Sequence, residues 1–433
     1  MKGRILVINT VSTSSKIGFY DSGEKLFETN LTHSAEEIAK YESVMDQTPM
    51  RRDAITDFLS EKGIELESID VAMARGGLIT PIRTGVYEVN QEIRDALIAG
   101  KEGVHACNLS ALLADDIAVM VNEARAAKGI EEKCRAFIAD PPMADEMLPE
   151  VKVSGLPEFP RRTLFHALNS RAMVRRYARS VGKTNKDVTV IVAHMGGGSS
   201  VSLHRNGLVI DTNDALGGDG PISPERAGNV PGFPLVDKCF SGNWTAAQIK
   251  KRLVGRGGSV AYFGTNDFRE LAARAAAGDK EVETFLTGYC ISFAKYIAGL
   301  ASVVYGKVDA IVLTGGIAYS EMITKQIAER VEFIAPVVVY PGENELESLA
   351  ENGYGILAGE FEIRYYHPDH FSDLSLINEH VALWELAAVQ FTALLEERFC
   401  VSGLAWTSVC AGVCDHDPAL SVRELPYKGA CAR

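Results

Sequence analysis

Apolar and polar positions alternate in a regular order at the start of the chain. Ile5-Leu6-Val7-Ile8 is apolar at every position, which predicts a strand over Arg4–Thr10 buried on both faces. Ser14–Asp21 and Glu24–Thr32 read as two more strands, joined by a short polar loop and by Asp21-Ser22-Gly23. Ser34, with Glu37 three residues on, has the spacing of a capping box and predicts the start of a helical run. A strand at Val71–Ala74 runs into Arg75-Gly76-Gly77. Helical patterns follow around Gln91–Ile98 and Leu109–Ala127, then a short strand at Arg135–Ala139.

After Pro160 the order restarts. A helix near Leu164–Ser180 precedes a strand at Val188–Ala193, and Gly196-Gly197-Gly198 turns the chain into Ser200–His204. Asn206-Gly207 then turns it into Leu208–Asp211. A long helical region spans Asp279 to Tyr305, followed by a strand at Ala310–Leu313, the turn Thr314-Gly315-Gly316 and a helix from Ser320. Two related α/β halves of βββαβα type are expected, facing a cleft, over residues 1–160 and 161–350. A helix over Glu345–Tyr366 is expected next, its part from 351 to 366 returning to the first half. Residues 367–433 form an appended tail with four of the eight cysteines and two of the three tryptophans, and Ile377–Arg398 within it reads as one amphipathic helix.

Composition narrows the classes. A chain of 433 residues exceeds one ordinary core, so two domains are expected. The net charge of −13 argues against gripping nucleic acid, which needs clustered Lys and Arg, but leaves room for a small anionic ligand at a locally basic site. The first apolar run is too short for a signal peptide. Phe285–Tyr305 carries Lys295 and small residues and reads as a core helix rather than a membrane span. No CxxC pair or zinc spacing occurs among the cysteines, which fits a reduced, cytoplasmic setting.

Two nucleotide signatures are excluded. Gly182-Lys183-Thr184 lacks the earlier glycine of a P-loop, where Tyr177 stands, and Gly255-Arg256-Gly257-Gly258 lacks dinucleotide-binding spacing. Three polar turns remain, each directly after an apolar strand. Asn9 to Lys16 offers the hydroxyls of Ser12 and Ser14 and the charge of Lys16 to phosphate oxygens, or is simply a hydroxyl-rich hairpin turn. Gly196, Gly197 and Gly198 permit close backbone approach and positive φ, or form a flexible hairpin. Gly315 and Gly316 lie between a strand and a helix and either pack against a nucleoside or make a plain βα turn.

In order and spacing the three turns resemble the two phosphate elements and the adenosine element of the superfamily of acetate and sugar kinases, heat-shock 70 proteins and actin. Within it, Ala74–Gly77, Tyr87–Asn90, Asp140-Pro141, Asp145–Met147, Phe165–Asn169, Gly220–Arg226, Gly264–Asp267, Val308–Ala318 and Ile334–Pro336 resemble butyrate kinases of the acetate kinase family. The resemblance runs from about residue 4 to 366. It implies two ribonuclease H-like (actin-like) βββαβα domains around a nucleotide cleft, and transfer of the γ-phosphoryl group of ATP, with Mg²⁺, to a short-chain carboxylic acid. A homo-oligomer, in the simplest case a dimer, is also implied, with no nucleic-acid or membrane partner.

The same resemblance assigns sites. Arg75 and Arg226 match the arginines that hold the acid and the transferring phosphoryl, tasks suited to a permanently charged fork of donors. His194 and His105 match positions near that phosphoryl, and Asp140 matches an active-site aspartate that orients Arg75 or water around the metal. Asn9 and Glu345, with Glu343 as the alternative, are the expected Mg²⁺ contacts, since this ion takes a few oxygen ligands and keeps several waters. One departure stands out. Butyrate kinases read Asn-Pro-Gly-Ser-Thr-Ser in the first turn, where this chain reads Asn9-Thr10-Val11-Ser12-Thr13-Ser14. A β-branched residue tolerates positive φ poorly. Two other readings therefore stand beside butyrate kinase: an ATP-binding paralogue with impaired catalysis, and a kinase of a branched or other short-chain acid.

Overall fold

The computed structural model describes residues 2–367. The expected tail beyond them, with the helix Ile377–Arg398, lies outside the described residues. Two sheets carry the fold. The first contains β1 (Arg4–Val11), β2 (Ser14–Asp21), β3 (Glu24–Thr32), β4 (Val71–Arg75), β5 (Val86–Glu88) and β6 (Arg135–Ala139). The second contains β7 (Thr189–Met195), β8 (Ser199–Arg205), β9 (Leu208–Thr212), β10 (Ala310–Gly315) and β11 (Val337–Pro341), and β12 (Ile363–Arg364) goes back to the first.

The strand orders are β12-β5-β6-β4-β1-β2-β3 and β11-β10-β7-β8-β9. Within them, β3-β2-β1-β4-β6 and β9-β8-β7-β10-β11 have the same sequence order. In both, the first three strands form an antiparallel meander and the next two join in parallel. The two βββαβα halves expected from the sequence are thus present. β1 is apolar at every core position because both of its faces are covered. Leu6 and Ile8 face the helices Thr48–Glu61 and Asn108–Ala127, whereas Ile5 and Val7 face the helix Glu345–Leu357. In the second half the helix Lys280–Val303 packs against β7 and β8, capped by Asp279, whose carboxylate accepts from the Val282 N–H. This helix is long and apolar enough to cross a membrane by length and composition, but Phe285, Tyr289, Phe293 and Ile297 are buried in the second core.

Two helices change sides. The helix Ala167–Ser180 follows the first half yet packs on β7 and β10, and the helix Glu345–Leu357 follows the second half yet packs on β1 and β4. The second of these ends earlier than expected. It stops at Leu357, not Tyr366, because the chain reverses at Gly359 in the left-handed region (φ +69°) and then pairs as β12 with β5. The helix expected after Ser34 is a single turn, Ala35–Ile38. Ser34 accepts from the Glu37 N–H, but the full helix of that region begins only at Thr48. The short strands β5, β11 and β12, and the helices between Gly232 and Ala276, are not among the elements expected from the sequence, although Val337–Tyr340 is an apolar run between prolines and Thr245 with Gln248 has capping-box spacing.

Candidate active site

Gly315 is the pivot of the site. It sits at φ +90°, and a Cβ on it would lie 2.4 Å from the Met195 carbonyl oxygen, so only glycine lets the end of β10 pass the end of β7. Its N–H and C=O pair with those of Gly342 at 3.2 and 3.0 Å. That pairing places the two carboxylates that follow. Glu343 Oε1 lies 2.9 Å from His194 Nε2 on β7. Glu345 Oε2 accepts from Asn9 Nδ2 at 2.6 Å and from Arg75 Nη1 at 3.3 Å, both on the first sheet. One short segment therefore ties the strand ends of both halves together.

His194 is the penultimate residue of β7 and is fully buried. Its Nδ1 lies 3.1 Å from Asn169 Oδ1, and its ring stacks on His166 with centroids 3.7 Å apart. His166 Nδ1 lies 2.8 Å from Ser200 Oγ. Burial, then His194 and the charges of Arg75 and Arg226, hold the His166 imidazole well below its ordinary value. His166 was not singled out in the sequence. The signal was present in Phe165–Asn169, where a histidine ends an extended run just ahead of a helix. His105 keeps contact with solvent; its Nδ1 accepts from the Cys107 N–H at 3.2 Å, and partial desolvation of the ring, then the charges of Arg75 and Arg226, lower its proton affinity. Glu343 is held below the usual carboxylate range by its hydrogen bond with His194, with Arg75 and Lys16 adding to the effect. Lys16, Arg75, Arg226, the three histidines and both glutamates thus act on one volume.

The second turn is shaped by close approach rather than by unusual dihedrals. None of Gly196, Gly197 and Gly198 has positive φ, so of the two freedoms that three glycines permit the turn uses only close approach. A Cβ on Gly198 would lie 2.3 Å from Arg226 Nη1, and one on Gly196 would lie 2.8 Å from Glu343 Oε1. Arg226 Nη1 donates to the Ala215 carbonyl at 2.8 Å, and the Ser223 hydroxyl, which donates to the Gly197 carbonyl at 3.0 Å, binds the arginine loop to the turn. Coulomb attraction to Glu345 raises the already high value of Arg75, and burial lowers that of Arg226.

The first turn is a two-residue connection, Ser12-Thr13, between paired Val11 and Ser14. Val11 does not have positive φ, so the strain anticipated from its branched side chain does not arise. Thr10 is anchored instead: its N–H donates to Ser110 Oγ at 2.9 Å and its hydroxyl to the Ala106 carbonyl at 2.6 Å, contacts a proline could not make. Lys16 stands opposite Asn9 in the hairpin and is exposed, as is Ser12, whereas Ser14 is buried. Asp140 takes a different set of partners from the one expected. At φ +43°, its carboxylate accepts from the Gly85 N–H at 2.9 Å and pairs with Arg171 at 2.9 Å and Arg175 at 3.7 Å. Both arginines lie on the helix that packs on the second sheet, so Asp140 links the halves.

A cleft of about 970 Å³ opens beside the second and third turns. Gly196, Gly197, Gly316, Ile317, Tyr319 and Glu343 contribute to its wall. Room for a magnesium ion is tested by Asn9, whose buried Oδ1 has no hydrogen-bond partner, next to the Glu345 carboxylate. No group of three or more His, Cys, Asp or Glu side chains clusters as a metal cage among the described residues. That donor set fits a hard ion held mainly by water and phosphate oxygens.

Residues 158–352 match the family described as Acetokinase family. The chain is 45% identical over 363 residues to butyrate kinase 1 of Clostridium acetobutylicum, covering 84% of this chain and 99% of that protein. It is 43% identical over 364 residues to a probable butyrate kinase of Bacteroides thetaiotaomicron, with 84% and 99% covered. Among solved structures, acetate kinase of Porphyromonas gingivalis aligns with a TM-score of 0.63 at 19% identity, over 82% of this chain and 100% of that one. A propionate kinase of Francisella tularensis aligns with a TM-score of 0.59 at 19% identity, over 81% and 98%. These two structures share the fold.

Proposed function

The chain belongs to the acetokinase family, and from that premise we propose that it is a carboxylate kinase that converts ATP and butanoate into ADP and butanoyl phosphate. The observation that carries this reading is that Arg226, pressed against Gly198, and Arg75, held by Glu345, come from opposite halves to the strand ends where His194 stacks on His166. A carboxylate oxygen attacking the γ-phosphorus brings two anions together, so neutralisation and alignment are the main tasks. The new C–O–P bond forms as the bond to the β-phosphate oxygen breaks. The acid enters ionised, so no base has to remove a proton.

In this reading Arg75 holds the acid and Arg226 the transferring phosphoryl. Glu345 keeps Arg75 aimed, and Glu343 fixes His194. The His166 ring, kept neutral by burial, offers a hydrogen bond without adding charge. The second turn receives the phosphates of ATP, and the wall at Ile317 and Tyr319 receives the nucleoside. Asn9 and Glu345 would hold Mg²⁺, which when bound screens the phosphate charge. A cytoplasmic location and a homo-oligomer belong to the same reading; free thiols at Cys107, Cys134, Cys239 and Cys290 agree with the first, and sedimentation velocity tests the second. Acyl-phosphate formation, trapped as hydroxamate with acetate, propionate, butyrate and isobutyrate, tests the activity. Turnover is expected to be highest with butyrate, and an enzyme inert toward all four acids would end the proposal.

A further inference from the structure

Arg51 lies on the helix Thr48–Glu61, outside the site just described, and is fully buried. No carboxylate pairs with it among the described residues, an arrangement that is costly unless dipoles replace the lost water. The dipoles come from the first turn. Nη1 donates to the carbonyls of Val11 and Ser14, both at 3.0 Å, and Nη2 donates to the Ser12 carbonyl at 2.8 Å. Nη1 also reaches Ser15 Oγ at 3.4 Å. Gln47 Oε1 accepts from Nη2 at 2.9 Å and from Nε at 3.2 Å, which fixes the plane of the guanidinium. His33 Nε2 braces Ser15 Oγ from the other side at 3.0 Å.

The direction of these bonds has a consequence for the opposite face of the turn. In a planar trans peptide the N–H points away from the C=O of the same unit. With the Val11 and Ser12 carbonyls drawn inward to Arg51, the N–H groups of Ser12 and Thr13 are turned outward in succession, the arrangement that binds anions. We propose that Arg51 is the positioning residue of the first phosphate turn: it holds three backbone carbonyls inward so that the Ser12 and Thr13 N–H groups meet a nucleotide phosphate. The inference rests on the kinase reading above. It accounts for a turn that works with Val11 and without a glycine, because the geometry is imposed from behind.

Steady-state kinetics of the full chain carrying Arg51→Met or Arg51→Lys tests this, with ATP and butanoate varied separately. In Arg51→Met the KM for ATP is expected to rise about 10- to 100-fold, the size of losing hydrogen bonds to a charged group, with the KM for butanoate within about twofold. Arg51→Lys should recover part of that loss. A folded Arg51→Met with the ATP KM of the wild type overturns the inference, as does an equal rise in both KM values. Should Arg51→Met not fold, Gln47→Met leaves the charge in place and frees its plane. It should raise the ATP KM several-fold, about half a decade, and no change there is likewise fatal. A wild type inert toward every acid counts against the kinase reading alone. Calorimetric ATP affinity of wild type against Arg51→Lys then still reads the turn.

Discussion

The first and second turns occupy the same place in their two halves, between the first and second strands of each meander, yet they are built in opposite ways. The second consists of three glycines, and what it gains is proximity: Arg226 and Glu343 press against positions where a Cβ would stand. The first contains Val11, Ser12 and Thr13, and its shape comes from a buried guanidinium that gathers carbonyls behind it. One turn is shaped by missing side chains and the other by an added one. A backbone that must face a phosphate can be prepared by either route, so a glycine count alone is a poor guide to where phosphate binds.

The contrast makes the second turn the more fragile to added volume. Gly198→Ala places a methyl group 2.3 Å from Arg226 Nη1, which must swing aside. The side chain is flexible, so thermal stability should change little, whereas kcat should fall about 100-fold because a displacement near 1 Å is enough for that loss. Gly197 has open space around its Cβ position but lines the cleft, so Gly197→Ala should spare kcat and raise the KM for ATP instead. Equal effects from the two substitutions would erase the distinction between proximity to Arg226 and proximity to nucleotide.

The anchors also differ in whether they titrate. Arg51 stays charged across the working range, whereas the second turn rests on the Glu343–His194 hydrogen bond. That bond and nearby positive charges hold the Glu343 carboxyl below its ordinary value. The carboxylate therefore loses its charge at a lower pH than a free glutamate does, and its contribution is present above that lowered value and fades as pH falls through it. Glu343→Gln should lower kcat about tenfold at neutral pH, as when the partner of an active-site histidine is removed. It should also flatten the acid limb of the kcat profile. An acid limb unchanged in Glu343→Gln would assign that limb to another group.

Much of the scaffold was legible because it is local. β1, β2, β4, β6, β7 and β8 are short apolar runs closed by turn residues, and each was placed within about two residues. β5 and β12 were not, since a three-residue and a two-residue strand exist only through their pairing partners. The helix after Glu345 was read too long because Gly359 sits in an otherwise helical pattern. In the site, Arg75, Arg226 and the glycine turns were pointed to by the family resemblance rather than by local pattern. The pairings around them were not legible: Glu343 meets His194 from 149 residues away, and Asp140 meets Arg171 only because a helix crosses to the other sheet. Arg51 stands beside Arg52 in the polar first turns of the helix Thr48–Glu61, and nothing in that local pattern marks it as buried.

Val11 offers the smallest expected change and the most direct test of the comparison. From sequence, a branched residue in the first turn suggested strain there and left open a paralogue with impaired catalysis. The structure removes the premise. Val11 ends β1, pairs with Ser14 and has no positive φ, while its carbonyl is held by Arg51. Glycine there relieves no strain and adds freedom to the unfolded chain, at a cost of roughly 0.5–1 kcal/mol. Val11→Gly should therefore lower the urea midpoint slightly and leave kcat and the KM for ATP within about twofold, less than a 0.5 kcal/mol effect. A several-fold gain in activity would mean that the missing glycine, and not the clamp behind the turn, limits phosphate binding, and the two turns would then be variants of one design.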